Sequence, residues 1–105
     1  MRRGDVYWLR LPRQKPRPAI ILSPDFLNDV RDRVLIVPCT SQRTDSATHT
    51  EFLLDGAALP KPTKAQCQDI ATFRKIHLSG KIRALTPREI DAMNRAVEIA
   101  TGMGI

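Results

Sequence analysis

Apolar positions along this chain come in short runs separated by turn-forming residues, a pattern that predicts strands far more often than helices. Gly4 to Leu11 carries Val6, Tyr7, Trp8, Leu9 and Leu11, a β-branched and aromatic set that favours a first strand. Pro12 to Pro16 is basic and proline-rich, and reads as a turn. Arg17 to Ser23 predicts a second strand, with Pro18 near its start, where a missing N–H is tolerated. Ser23-Pro24-Asp25 then resembles a helix opening, serine as cap and proline at the first helical position, with a short helical turn over Asp25 to Asn28. Arg33 to Thr40 is apolar at nearly every position, which predicts a central strand buried on both faces. Ser41 to Ala47 is a polar loop, and Thr48 to Leu54 a fourth strand. Asp55 to Thr63 holds glycine, prolines and alanines, and reads as a connection with at most one helical turn. Gln66 to Phe73 and Lys81 to Leu85 complete the set as fifth and sixth strands.

One longer helix stands out at the end of the chain. Thr86 is placed to cap it, Pro87 takes the first helical position, and Glu89 completes a capping box. Ile90, Met93, Val97 and Ala100 recur on one face, and Gly102 is a natural stop. Six short strands and one amphipathic helix predict a single domain over residues 1–105, a mainly β antiparallel barrel with its helix packed outside.

Composition narrows the class. With 42% hydrophobic and 27% charged residues in 105, the chain has ordinary globular composition. Its longest apolar runs, Ala19 to Leu22 and Val34 to Val37, are far too short to span a membrane. Arg2 and Arg3 are followed by Gly4-Asp5 instead of an apolar stretch, so no signal peptide is expected. Two cysteines, Cys39 and Cys67, make neither a disulfide framework nor, with His49 and His77, a zinc motif; a reducing cytoplasm, without metal or cofactor, is the expected setting.

Charge adds a partner. The net charge is +6, but its distribution matters more. Residues 1–22 and 61–85 each hold six basic groups and one acidic, while residues 23–60 hold three basic and six acidic. If the fold brings the two basic stretches together, they form a surface for a polyanion; if not, they are an ordinary solvated surface.

Strand pairing brings specific chemistry into view. If the second and third strands pair antiparallel with Ser23 opposite Val34, Arg17 comes opposite Thr40, their Cβ atoms about 5 Å apart. A one-residue slip would undo this. The pair joins a guanidinium and a hydroxyl at one end of the sheet, beside the Pro12–Pro16 and Ser41–Ala47 loops. His49 and His77 suit proton transfer near neutral pH, although surface or packed histidines are the commoner case. Tyr7 and Trp8 suit base stacking or core packing. No phosphate-cradling glycine loop and no nucleophile elbow is present.

Three segments carry a family resemblance. Arg3-Gly4-Asp5-Val6-Tyr7-Trp8, Arg17-Pro18-Ala19-Ile20-Ile21-Leu22-Ser23-Pro24 and Val37-Pro38-Cys39-Thr40-Ser41-Gln42 resemble, in order and spacing, the opening and the second- and third-strand motifs of the MazF/PemK toxins of bacterial toxin–antitoxin modules. Asn28 and the capped final helix fit as well, so the resemblance covers nearly the whole chain. It implies an SH3-like (CcdB/MazF-type) barrel, a cytoplasmic homodimer, and a metal-independent endoribonuclease neutralised by a cognate acidic antitoxin. Its substrate would be single-stranded RNA, cut at short sequences by attack of a ribose 2′-hydroxyl, leaving a 2′,3′-cyclic phosphate and a 5′-hydroxyl. The family's catalytic arginine and threonine fall on Arg17 and Thr40, the pair that the strand arithmetic brings together. An arginine fork and a hydroxyl suit a transition state that gains negative charge on phosphate oxygens. Arginine keeps its proton, so the base that deprotonates the 2′-hydroxyl stays unassigned. Ser41, Gln42, His49 and Asp69 are expected as further RNA contacts, and Arg13 and Lys15, on the loop where the chain departs from the family, as additional phosphate contacts.

The chain departs from the family pattern in two places. The Pro12–Pro16 loop is short and lacks an acidic residue, and Ala71 stands where an arginine or lysine is common, so base preference is expected to differ. Two further readings share the fold: a non-enzymatic gyrase inhibitor like CcdB, and a catalytically inactive RNA-binding relative. The inhibitor reading relies on C-terminal, often aromatic residues, and Gly102-Met103-Gly104-Ile105 offers none.

Overall fold

Strand-forming segments and turns assemble into a seven-stranded antiparallel sheet in the computed structural model, which describes residues 1–103. Gly104 and Ile105, part of the C-terminal segment considered above, lie outside the described residues. The strands are β1 (Asp5–Leu9), β2 (Arg17–Ile21), β3 (Arg33–Thr40), β4 (Glu51–Leu54), β5 (Thr63–Gln66), β6 (Ala71–Arg74) and β7 (Leu78–Ala84), with helices α1 (Asp25–Val30) and α2 (Pro87–Ala100). The ladder runs β4-β5-β3-β2-β1-β7, with β6 also on β3. Among the described residues the edge strands β4 and β7 do not pair, so the expected barrel is here an open antiparallel sheet.

β3 organises the molecule. Arg33 to Ile36 pair with β6, whereas Cys39 and Thr40 pair with β5. Pro38 sits between these two ladders, at the break where a residue without an N–H is tolerated in a central strand. As expected, β3 is buried on both faces. Val37 and Cys39 join Val6, Ile20, Phe52, Ala65, Met93 and Ala96 in one core, while Val34 and Ile36 join Leu9, Ala19, Ile21 and Leu78 in a second.

The β2–β3 register is the expected one: Ala19 faces Pro38, Ile20 faces Val37 and Ile21 faces Ile36. Two other expectations are corrected. The fifth strand does not run from Gln66 to Phe73. Thr63 to Gln66 form β5, a 3-10 turn follows at Cys67–Asp69, and β6 starts at Ala71, so part of the supposed connection is strand and the sheet has seven strands, not six. Ser23 does not cap α1. Pro24 is the N-cap; the Ser23 hydroxyl donates to Asn28 Oδ1 and accepts from Leu35 N–H, fastening α1 to β3.

α2 begins as expected, with Thr86 Oγ1 accepting from Glu89 N–H and Glu89 Oε1 accepting from Thr86 N–H. It ends in a Schellman motif: Gly102, at φ +77°, donates to Ile99 O, and Met103 donates to Glu98 O. The helix stripe is consumed by the chain's own core, through Met93 and Ala96. The Arg-Gly-Asp opening is structural too. Gly4 has φ +90°, and a Cβ there would come within 2.7 Å of Ile90 Cδ1. Arg3 binds Leu22 O and Asn94 Oδ1, and buried Asp5 pairs with Lys81.

Candidate functional site

At the start of β2 and the end of β3, the expected register brings Arg17 and Thr40 to the rim of one cavity of about 450 Å³. Lys15, Ser41 and Gln42 line the same cavity, so five of the sequence-derived site residues converge. Arg13, His49 and Asp69 lie outside its lining. Arg13 occupies the tip of a turn, Leu11 to Gln14, closed by Gln14 N–H donating to Leu11 O; its φ of 63° is the left-handed conformation that such a turn demands after Pro12. His49 is exposed in the turn before β4, and Asp69 is exposed on the 3-10 turn after β5. Ala71 is half-buried opposite Ile36, on β6.

The two basic stretches meet here. Lys15 and Arg17 come from the first and Lys61 from the second, with Trp8 as the aromatic wall and Pro16, Pro18 and Pro60 as rigid edges. Lys61 and Pro60 belong to the connection between β4 and β5, which carried no functional signal in the sequence.

The chemistry of the pair is set by its hydrogen bonds. Arg17 Nε donates to Cys39 O at 3.2 Å, and Arg17 Nη2 donates to Gln66 Oε1 at 3.3 Å. No carboxylate within the described residues forms an ion pair with Arg17; Asp5 is taken by Lys81, and Asp69 stands apart. Thr40 Oγ1 accepts from Gln42 N–H at 3.1 Å, which leaves its O–H to donate. Gln66, expected only as the first residue of the fifth strand, is a site residue that the sequence reading missed, because its link to Arg17 depends on β5 pairing with β3.

Beneath the loop that follows Thr40 lies a nearly dry ion pair. Lys64 Nζ binds Glu51 Oε1 at 3.0 Å and Ser46 O at 2.9 Å, with both charged side chains under 8% exposed. A hydrogen bond from Gln68, supported by Lys64 and Thr48 N–H, outweighs burial and holds the Glu51 carboxyl down at about 2. The loop is therefore tied to β4 and β5. Burial pushes the Cys67 thiol up to about 12, and burial together with the neighbouring Cys67 raises Cys39 further still, so neither is a nucleophile. Among the described residues, no group of acidic, histidine and cysteine side chains is arranged to hold a metal ion.

A small antiparallel sheet with a C-terminal helix and a basic pocket at one end narrows the class of protein, and likeness to known proteins supplies the family. Residues 2–101 match the family described as the PemK-like, MazF-like toxins of type II toxin–antitoxin systems, and the chain belongs to this family. It is 29% identical to the endoribonuclease MazF of Staphylococcus saprophyticus over 111 aligned positions, covering 98% of this chain and 92% of that protein. Among solved structures it is similar to a mycobacterial endoribonuclease in complex with its cognate antitoxin (TM-score 0.86, 24% identity, 98% and 96% of the two chains). It also resembles a MazE–MazF complex from Deinococcus radiodurans (TM-score 0.81, 16% identity, 97% and 95%). The mainly β fold with its C-terminal helix is thus that of the MazF toxins.

Proposed function

We propose that this chain is a metal-independent endoribonuclease toxin that cuts single-stranded RNA with Arg17 and Thr40. The observation that carries the reading is the convergence of a carboxylate-free arginine, a hydroxyl and two lysines on one cavity large enough for a nucleotide. As the O2′–phosphorus bond forms and the bond to O5′ breaks, the 2′-hydroxyl gives up its proton, O5′ takes one up, and negative charge grows on the phosphate oxygens. Arg17 meets that charge with paired N–H groups and Thr40 with its hydroxyl. Lys15 and Lys61 hold the flanking phosphates, Trp8 gives a base a surface to stack on, and Ser41 and Gln42 supply polar edges for reading it. Arg13, His49 and Asp69 extend the RNA path beyond the cavity.

The toxin acts in the cytoplasm, where its two buried thiols stay reduced. Among the described residues no helix is long and apolar enough to cross a membrane. An acidic antitoxin neutralises it by laying carboxylates across the same basic surface; the similar mycobacterial endoribonuclease is likewise found in complex with its cognate antitoxin. The toxin is a homodimer. Phe26 and Val30, one helical turn apart on α1, are 70% and 78% exposed and supply apolar surface for a second copy. Incubating the pure protein with mixed-sequence RNA in excess EDTA tests the activity. Fragments ending in 2′,3′-cyclic phosphate are expected; intact RNA, or cleavage only when magnesium is restored, overturns the proposal.

A further inference from the structure

We propose that Gln66 is a positioning residue for Arg17, an inference that rests on the endoribonuclease reading and deepens it. A guanidinium is planar and presents donors along two edges: a side edge formed by Nε–H and one Nη2 hydrogen, and an end-on fork formed by Nη1 and the other Nη2 hydrogen. In this structure the two anchors occupy Nε and Nη2 and leave Nη1 without a partner among the described residues. Cys39 O takes the Nε hydrogen and Gln66 Oε1 takes Nη2. Both Nη1 hydrogens and one Nη2 hydrogen are left to donate, and a guanidinium so held can still meet phosphate oxygens.

One anchor would leave the guanidinium plane able to swing about that bond; the second, on a different strand, fixes it. Gln66 is itself well held. It ends β5, paired in register with Glu51, and the next residue, Cys67, donates its N–H to Thr50 O. Glu51 in turn is gripped by Lys64 and Gln68. The chemistry also fixes which end of the amide faces Arg17: a guanidinium only donates, so the oxygen must point inward. A neutral acceptor is the suitable choice here. A carboxylate would orient Arg17 equally well but would oppose the negative charge that the transition state gathers nearby.

The test uses Gln66→Met, which keeps the length and shape of the side chain but removes the acceptor, with Gln66→Leu as a second variant should the first fold poorly. Cleavage of a fluorogenic oligonucleotide is followed in parallel with thermal melting. The expected result is a fall in kcat of about 10- to 100-fold with KM and melting temperature near those of the parent, since a group that is bound but misaimed loses rate. The decisive comparison repeats Gln66→Met in an Arg17→Lys background, whose ammonium has no edge to orient. There the effect should collapse to about twofold or less, since two residues that act as one unit are not additive. Parental kcat in Gln66→Met, a loss of equal size in both backgrounds, or a loss that merely follows the melting temperature would each overturn the inference. An inert parent would overturn the endoribonuclease reading and this one with it, whereas an active parent with an indifferent Gln66 overturns this one alone.

Discussion

Arg17 is held by a carbonyl and an amide and carries no charged partner within the described residues, which separates its chemical role from any structural one. Arg17→Ala is therefore expected to cost about 3 kcal/mol or more in activation free energy, on the order of a hundredfold in rate, by analogy with the loss of one oxyanion donor. Its melting temperature should stay close to that of the parent, since only two peripheral hydrogen bonds are lost. Thr40→Ala removes a neutral donor and should cost less. Arg17→Lys should rescue poorly, because a point charge cannot present a fork. Measuring rate and melting on the same preparations checks all three; a folded Arg17→Ala protein that cleaves normally would refute them. The shared end of β2 and β3 that holds Arg17 and Thr40 is within reach of the sequence once an antiparallel pairing with Ser23 opposite Val34 is supposed, and the observed pairs have that register; with β3 apolar on both faces, no alternation of residues could have fixed it. Gln66 was not legible as a partner of Arg17, because the contact spans 49 positions and depends on β5 pairing with β3, which no local signal announces.

Elements with strong local chemistry could be read from the sequence, and those shaped by tertiary pairing could not. The capping box of α2 is written in Thr86, Pro87 and Glu89 alone. β5 is not, since Thr63-Lys64-Ala65-Gln66 has little strand propensity and is extended because β3 and β4 bind it on both sides. Glu89 does more than cap. Both of its oxygens receive Arg83 at 2.7 Å, Oε2 also accepts from Asp55 N–H, and so the start of α2 is tied to β7 and to the end of β4. Burial alone would raise its pKa, but Arg83 and the Thr86 and Asp55 N–H groups outweigh burial and hold it at about 2. Glu89→Ala leaves the partly buried Arg83 with only its carbonyl partners and removes the bonds to Thr86 and Asp55 N–H, and should destabilise by about 2 kcal/mol, lowering the melting temperature by roughly 10 °C. Glu51 and Glu89 both have folded values below the ordinary carboxylate value of 4.5. The stability they add is thus complete above that value and is lost as pH falls from there toward 2. Melting temperatures measured between neutral pH and acid should hold steady and then drop within that window, and Glu89→Ala should flatten the drop.

At the scale of the whole molecule, a second copy needs apolar surface that the chain's own core does not use. The apolar face of α2 is spent on the chain's own core, whereas Phe26 and Val30 on α1 stay open. Light scattering at micromolar concentration should give about twice the 11.8 kDa chain mass, and a monomer mass would refute the dimer.

The two basic stretches, by contrast, meet where the sequence asked whether they would. Lys15 from the first and Lys61 from the second stand in the lining of the Arg17 cavity, although the chain between residues 22 and 61 is net acidic. Such convergence is a property of topology: β2 and β5 both pair with β3, and so the loops that precede them open at the same end of the sheet. These lysines are exposed, so in the proposed role their contribution to RNA binding is counterion release and not shape. Each phosphate contact on a single strand adds about 0.7 to the slope of log affinity against log salt. Lys15→Gln combined with Lys61→Gln should therefore weaken RNA binding and flatten that slope by roughly 1.4. The positions of the cuts should not change, because phosphate contacts carry no base information. An acidic antitoxin crossing the same surface should lose affinity in the same double variant with a similarly flattened salt dependence. Titrating RNA and antitoxin separately over a range of salt concentrations checks both; an unchanged slope for RNA would place the phosphate path elsewhere on the molecule, and an altered cut pattern would make the lysines readers of sequence.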